Sequence, residues 1–185
     1  TGAGKTFIEL ALALTGRFTG GPAKTAVVAS AMFGSISGSS VANVMVTGNY
    51  TIPLMKKYGY DPDFAGSVEA IASTGGGVTP PIMSITAFMM AEFLNISYLK
   101  IIGYALIPCL LYYTGVFFGV HFKTVRLGLA ALPREEVPHW KEILTLNKMA
   151  GFLLPTGILL YFIYTGDSLL DAGFYSCVAA ALVFF

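Results

Sequence analysis

The sequence predicts an all-α polytopic membrane protein, in which transmembrane helices are combined with a re-entrant hairpin and a discontinuous helix. Hydrophobic residues make up 55% of the 185-residue chain, charged residues 11%, and the mean hydropathy is +0.71. A soluble domain carries about 25% charged residues, so these charges are too few to cover a surface in water. They also leave four uncharged stretches, each as long as the roughly 18 residues of a spanning helix: Thr25–Met55, Ala70–Ala91, Ile101–Val120 and Met149–Gly166.

The opening residues resemble the end of a phosphate-binding P-loop, since Gly4 is followed by Lys5 and Thr6. No alternation of strands and helices follows, as an α/β nucleotide-binding domain would require. We therefore interpret the match as chance, in a loop that enters a helix from Phe7 to Leu14. The first residue is Thr1 and the last segment, residues 172–185, is still apolar, so we expect both ends to be truncated.

The stretch Thr25–Met55 contains 31 uncharged residues, more than one crossing needs and fewer than the roughly 40 that two crossings need. Its middle, Gly34–Ser40, is rich in glycine and serine, and apolar residues resume after it. An ordinary span would not carry such a centre. A re-entrant hairpin, or a helix followed by one, fits the pattern better.

The stretch Ala70–Ala91 is interrupted by Gly75–Gly77 and by Pro80 and Pro81. The prolines remove hydrogen-bond donors and the glycines carry an entropic cost, so the helix must unwind at its centre. Unpaired backbone groups cost several kcal/mol each in hydrocarbon, and such breaks persist only inside protein or along a polar cavity.

Two interrupted segments in one membrane domain indicate a transporter binding site, where unwound carbonyls and helix ends contact ions or substrate. Sodium suits carbonyl and hydroxyl oxygens, and side chains of both segments would add further oxygens: Ser37, Ser39, Ser40, Asn43, Thr74 and Thr79. The alternative is that small residues only permit close helix packing. We expect packing for Ser35 and Gly48, and ion or substrate contact for Ser37–Ser40 and Gly75–Pro81.

The second half of the chain predicts simpler spans. Ile101–Val120 is bulky and aromatic, is flanked by basic residues as an anchored span should be, and contains Pro108 as a possible kink. A polar connection, Lys123–Lys148, follows, in which Pro138–Glu142 could begin a helix on the membrane surface. Further spans are expected at Met149–Tyr164 and Leu169–Phe185.

Few titratable residues accompany the apolar segments. Glu69 and Glu92 end the uncharged run between them, so we expect both at the membrane interface rather than in a proton relay. Asp63 is a plausible N-cap for a helix from Phe64. The remaining candidates, which we interpret as small buried cysteines and as histidines outside any metal site, are Cys109, Cys177, His121 and His139.

The sequence from Gly20 to Phe93 carries four specific elements in a fixed order: Phe33–Ser40, Ile52-Pro53-Leu54-Met55, Gly59-Tyr60 and the break Gly75–Pro81. Together they resemble the large membrane subunit of tripartite ATP-independent periplasmic (TRAP) transporters. The similarity is greatest to permeases in which the large and small membrane subunits are fused. It covers roughly residues 1–130, and beyond Pro138 it depends on the helix pattern.

This resemblance implies an elevator-type carrier of the bacterial inner membrane, multi-pass and driven by a sodium gradient. Residues 1–130 would form part of the first inverted repeat, with a hairpin at about 32–48, a broken helix at about 70–92 and a span at about 99–120. Residues 131–185 would supply the polar connection and the start of the following spans. The implied sodium and substrate site comprises Ser37, Gly38, Ser39, Ser40, Asn43, Thr74, Gly75, Gly76, Thr79 and Pro80.

The resemblance also implies the partners. These are a periplasmic substrate-binding protein, the small-subunit helices, the lipid bilayer and a small organic acid such as a C4-dicarboxylate, with no nucleic acid. Sodium would be the coupling ion, and no cofactor is expected.

A channel and a membrane-embedded enzyme are the two alternatives to a carrier. A channel also uses unwound backbone, but its filter normally repeats through oligomeric symmetry. A membrane-embedded enzyme needs convergent His, Asp, Glu or Cys side chains, and the uncharged segments offer no such set. We therefore expect a permease and no enzymatic activity.

Overall fold

The computed structural model describes residues 3–129, 131–138, 157–165 and 169–184, and every regular element within them is helical. The all-α prediction is thus confirmed. The α-helices are α1 (Ala3–Thr15), α2 (Gly21–Ser37), α3 (Ser40–Lys57), α4 (Pro62–Thr74), α5 (Ile85–Leu94), α6 (Tyr98–Arg126), α7 (157–165) and α8 (Leu169–Phe184). Short 3-10 turns occupy Gly75–Val78 and Arg134–Glu136.

Helices α2 and α3 form a helical hairpin whose turn is Gly38–Ser39. Gly38 adopts a left-handed conformation with φ of 59°, which glycine tolerates, and its N–H donates to the carbonyl of Gly34 at 3.0 Å. The Ser39 hydroxyl then accepts from the N–H of Ala42 at 3.3 Å and caps α3. The turn therefore lies within the glycine- and serine-rich centre, and both helices extend well beyond residues 32–48.

Helix α4 ends at Thr74, and the glycines that follow form one 3-10 turn before the chain becomes extended at Thr79. A regular helix resumes only at Ile85, so the interruption falls where the glycines and prolines predict it. The expectation that Asp63 caps α4 is wrong. The cap is Asp61, whose carboxylate accepts from the N–H of Asp63 at 2.9 Å, because Pro62 occupies the first turn and places the cap one residue before it.

Helix α2 is the centre of the bundle, because it packs against α1, α3, α4 and α6. Its small residues Ala23, Ala26 and Val27 are buried with Tyr60, which lies between α3 and α4, and with apolar side chains of α3, α4 and α6: Met55, Ala65, Val68, Ala72 and Val120. The position of α2 between four neighbours explains why its sequence is dominated by small residues. A second apolar cluster joins α5 and the start of α6 to Ile163 of α7.

Among the described residues, α6 is the one helix that is long and apolar enough to cross a membrane. It runs for 29 residues through Pro108, and large apolar side chains on its outer face are exposed: Tyr104, Ile107, Leu110, Leu111, Phe118 and Phe122. The predicted surface helix at Pro138–Glu142 lies outside the described residues except for Pro138, and so do His139 and the first half of the predicted span at Met149–Tyr164.

A lysine near the start of α2 contacts a histidine near the end of α6, and the sequence did not predict this pair. The Lys24 side chain is 5% exposed, and its Nζ lies 3.1 Å from His121 Nδ1 and 5.1 Å from the centre of the Phe117 ring. Apolar packing around the lysine stem allows a charged residue in this helix.

The two cysteines differ in their exposure to solvent. Cys109 is buried, as expected, whereas Cys177 is exposed. The expectation of burial is therefore wrong for Cys177, which lies on an unpacked face of α8.

The P-loop-like residues Gly4, Lys5 and Thr6 are already helical, since α1 begins at Ala3 rather than at the expected Phe7.

A solvent-exposed ion pair joins the end of α3 to the segment after α6. Lys57 Nζ lies 2.8 Å from Glu136 Oε1, and the hydrogen bond from Lys57 lowers the pKa of the Glu136 carboxyl below its ordinary value. Because both side chains are substantially exposed, the pair fixes the segment only weakly.

Candidate functional site

The two interrupted segments meet in the interior of the bundle. The N–H of Ile82, just after the break, donates to the carbonyl of Ser35 in α2 at 3.2 Å. At the hairpin turn, a Cβ atom added to Gly38 would lie 1.8 Å from the carbonyl oxygen of Met83. The turn of the hairpin and the break are therefore in backbone contact, which only glycine permits at this position.

A second close approach lies one turn deeper. A Cβ added to Gly76 would come 2.8 Å from the Cα of Gly34, so the 3-10 turn and α2 touch through their backbones. The amide of Asn43 fills the adjoining space, 3.1 Å from the same added Cβ. Asn43 is completely buried, and its Nδ2 donates to the carbonyl of Ser30 at 2.9 Å and lies 3.4 Å from that of Ser73.

Of the ten predicted site residues, those of the hairpin and those of the break do come together. Ser40 Oγ lies 3.5 Å from the carbonyl oxygen of Thr74, and Asn43 lies beside Gly76. Gly75 fits against the rings of Tyr112 and Tyr113, where an added Cβ would approach both to 2.7 Å. These residues therefore form a single layer across α3, the 3-10 turn and α6.

Other predicted residues have their oxygens directed at the nearby backbone. The Thr79 hydroxyl donates to the carbonyl of Gly75 at 2.7 Å, and that of Thr74 to the carbonyl of Ala70 at 2.8 Å. Ser37 Oγ lies 3.5 Å from the carbonyl oxygen of its neighbour Ser39. Pro80 is half-buried and forms a cis peptide bond with Pro81.

Helix α6 satisfies backbone groups around the break through tyrosine hydroxyls. Tyr113 donates to the carbonyl of Ala72 at 3.1 Å, and Tyr112 to that of Ile71 at 2.7 Å. Tyr98 donates to the carbonyls of Pro81, at 3.1 Å, and Ile82. The carbonyls freed by the break and the helix end before it thus receive partners inside the protein, as apolar surroundings require.

Glu69 of α4 is a buried polar residue that we did not predict from the sequence. It is completely buried in the bundle, while Glu92 is exposed. Its Oε1 accepts from the hydroxyls of Ser30 at 3.1 Å, Ser73 at 3.0 Å and Thr47, and its Oε2 accepts from Thr51. Two of the residues that surround it, Thr47 and Thr51, are four residues apart and therefore lie on the same face of α3. This spacing is the feature of the sequence that could have indicated a buried polar partner.

The layer combines carbonyl, hydroxyl and amide groups with one buried carboxylate beneath it. Such hard, neutral oxygens suit a hard monovalent cation, whereas soft thiolate and imidazole ligands would favour a transition metal. Within the parts of the chain that the structure describes, no three His, Cys, Asp or Glu side chains are close enough to hold a metal ion.

An all-helical chain with one helix long and apolar enough to cross a membrane, and with a hairpin in contact with a broken helix, has the features expected of a membrane transport protein. The profile of the family described as "Tripartite ATP-independent periplasmic transporter, DctM component" matches residues 1–185. The chain belongs to this family.

Individual relatives agree with this assignment. The C4-dicarboxylate TRAP transporter large permease protein DctM of Vibrio cholerae is 35% identical over 166 residues, which are 89% of this chain and 36% of the relative. The protein of the same name from Pseudomonas aeruginosa is 29% identical over 99% of this chain and 43% of its own length. The uncharacterized protein y4mL of Sinorhizobium fredii is 31% identical over 85% of this chain and 37% of its own length. The chain thus spans well under half of the length of these relatives.

Proposed function

We propose that the complete protein is the permease of a secondary active transporter, which imports an organic acid together with sodium. The family match supports transport, and two relatives named as C4-dicarboxylate permeases support a C4-dicarboxylate or a related carboxylate as the substrate. The description of the family as tripartite and periplasmic supports a binding protein that delivers the substrate and a small membrane subunit as partners. The complete protein crosses the bacterial inner membrane several times.

One observation carries the proposal: the turn of the α2–α3 hairpin and the segment that follows α4 are in backbone contact. Because interrupted helices bring backbone carbonyls and helix ends to one place, such contacts recur where transporters bind ions and substrates. The hairpin is re-entrant in this proposal, and residues 1–130 belong to the first inverted repeat of an elevator-type transport domain. The ten predicted residues from Ser37 to Pro80 then surround the sodium site.

The position of the hydroxyl-rich layer supports sodium in particular. Oxygen atoms of Ser40 and Thr74 lie at the contact between the hairpin and the break, while Asn43 turns its amide nitrogen toward the break and its amide oxygen toward Thr47. Sodium binding needs no carboxylate in direct contact, and the nearest buried one, Glu69, is already enclosed by four hydroxyls. Hydroxyl and carbonyl oxygens without a direct carboxylate support a monovalent cation as the coupling ion.

The experiment is a transport assay with the complete permease, its small-subunit helices and its binding protein in liposomes. Uptake of a radiolabelled C4-dicarboxylate is measured with and without an inward sodium gradient, and with and without the binding protein, with a potassium gradient as the control. The proposal predicts uptake only when sodium and the binding protein are both present. Uptake at the same rate in a potassium gradient, or without the binding protein, would contradict it.

A further inference from the structure

Glu69 is buried among hydroxyl groups from three helices. Ser30 belongs to α2, Thr47 and Thr51 to α3, and Ser73 to α4, and each donates to the Glu69 carboxylate. In the part of the chain that the structure describes, neither of the two ion pairs involves Glu69. A buried carboxylate held by hydroxyl donors alone is costly to place, so its position indicates a role besides packing.

Glu69 and Asn43 hold the same two residues from opposite sides. Glu69 accepts the hydroxyls of Ser30 and Ser73, while the Asn43 amide is directed at the backbone carbonyls of those residues at 2.9 and 3.4 Å. Because Glu69 holds the two serines through their hydroxyls, their carbonyls in turn hold the Asn43 amide in one orientation. That amide in turn lies against Gly76 at the break.

Thr47 provides a second, direct connection. Its hydroxyl has one proton and lies within hydrogen-bonding distance of three acceptors, which are Glu69 Oε1, the Asn43 carbonyl oxygen at 2.8 Å and Asn43 Oδ1 at 3.3 Å, so that Glu69 and Asn43 share this donor. Thr51, one turn further along α3, is equally buried and also donates to Glu69, but its other partner is the carbonyl of Thr47 at 3.0 Å. Both threonines thus hold Glu69, and only Thr47 reaches Asn43.

We propose that Glu69 is a positioning residue, which acts through Thr47, Ser30 and Ser73 to hold the Asn43 amide nitrogen against the break, and so fixes the position of the break, whose oxygens set the affinity for the coupling cation. This inference rests on the proposed sodium-coupled function. It follows the general behaviour of groups behind an ion's direct ligands, whose loss weakens binding although they do not touch the ion. Glu69 itself does not contact the cation.

The sharpest test compares Thr47→Val with Thr51→Val in the complete transporter. Each change removes one hydroxyl from Glu69 at nearly constant shape, so both should lower thermal stability similarly. Thr47→Val should raise the sodium concentration for half-maximal uptake about tenfold, and Thr51→Val, which removes a donor to Glu69 but none to Asn43, should raise it clearly less. Maximal uptake at saturating sodium, per correctly folded molecule, should change little in either variant, whereas a merely structural defect would lower it.

Glu69→Gln is the direct variant, with Glu92→Gln on the exposed face of α5 as its matched control. We expect Glu69→Gln to raise the half-saturating sodium concentration by about tenfold or more, and Glu92→Gln to leave it unchanged. If Glu69→Gln does not yield folded protein, the comparison of Thr47→Val with Thr51→Val still tests the inference. Equal sodium half-saturation in the two threonine variants would overturn the inference. Wild-type uptake that ignores sodium would instead refute the proposed function, so the two failures are distinguishable.

Discussion

Gly34 and Gly76 lie so close together that a Cβ atom on Gly34 would be 2.5 Å from the Cα of Gly76. This contact joins the first arm of the hairpin to the break in the following helix, although the two glycines are far apart in the sequence. It is a buried contact between the two interrupted segments, and it explains why both carry glycine where they meet.

The first prediction concerns this contact. Gly76→Ala should destabilise the protein by about 1–3 kcal/mol, because the new methyl group collides with backbone atoms that cannot rotate away. Sodium-dependent uptake should fall as well, because the added methyl group pushes the hairpin and the break apart at the proposed sodium site. Thermal unfolding of the purified protein and uptake in liposomes measure the two effects.

Gly77→Ala is the matched control for Gly76→Ala. A Cβ at Gly77 would meet only the Ser84 Cβ, at 3.8 Å, which is an ordinary contact. This variant should stay within about 0.5 kcal/mol of wild type. Equal destabilisation by the two variants would show that helix propensity, and not the contact with Gly34, determines the effect.

The second prediction concerns the support of the break by α6. Tyr98 stacks on Phe88 at 4.5 Å between ring centres, and its hydroxyl donates to the carbonyls of Pro81 and Ile82. Tyr98→Phe keeps the stacking and removes the hydrogen bonds, so it should cost about 0.5–1.5 kcal/mol in thermal unfolding. Tyr104→Phe, at a tyrosine that is 68% exposed, should have no measurable effect. Indistinguishable stabilities of the two variants would contradict this account of the break.

The third prediction tests the start of α4. Asp61→Ala should destabilise the protein by about 1 kcal/mol, because Asp61 is the residue whose carboxylate accepts the first free N–H groups of the helix. Asp63→Ala removes only a favourable charge from the first turn and should cost about 0.3–1 kcal/mol. A larger loss for Asp63→Ala in the same unfolding measurement would refute the assignment of the cap.

The fourth prediction concerns pH. The pKa of Glu136 is lowered by Lys57, so the ion pair contributes stability above the ordinary glutamate pKa of about 4.3 and loses it as the pH falls through the lowered value. The difference in melting temperature between wild type and Lys57→Gln should therefore be small at pH 7 and decrease as the pH falls below the ordinary glutamate pKa. Lys56→Gln, at the exposed neighbouring lysine, should show no such pH dependence. A wild-type advantage over Lys57→Gln that does not decrease as the pH is lowered would argue against the pair.

The positions of the interruptions could be predicted from the sequence because glycine, proline and serine clusters act locally. Gly38 ends α2, and Gly75 follows the last residue of α4, as backbone propensities require. Their mutual contact could not be predicted. It depends on the close approach of Gly34 and Gly76, which arises from how α2 packs against its four neighbours.

The buried carboxylate shows a different limit. Glu69 lies at the end of an uncharged run, and this position in the linear pattern did not indicate that it is buried in the bundle. Ser73 is its neighbour on α4, but the other three hydroxyls, of Ser30, Thr47 and Thr51, belong to α2 and α3 and reach it only in the folded bundle. The cap of α4, by contrast, could have been found, because Pro62 marks the first helical turn.

Sodium binding to the purified complete transporter tests the central claim most directly. Its melting temperature is measured in rising sodium chloride, with potassium chloride as the control, for wild type and for variants of the two segments, Ser39→Gly at the hairpin and Thr79→Val at the break. Glycine is chosen at residue 39 because it preserves most of the helix cap while removing the hydroxyl. The account predicts that sodium but not potassium stabilises the wild type, as a ligand of the folded state must, and that both variants need more sodium for the same stabilisation. Equal stabilisation of the wild type by sodium and potassium, or sodium responses that neither variant alters, would contradict a sodium site between the hairpin and the break.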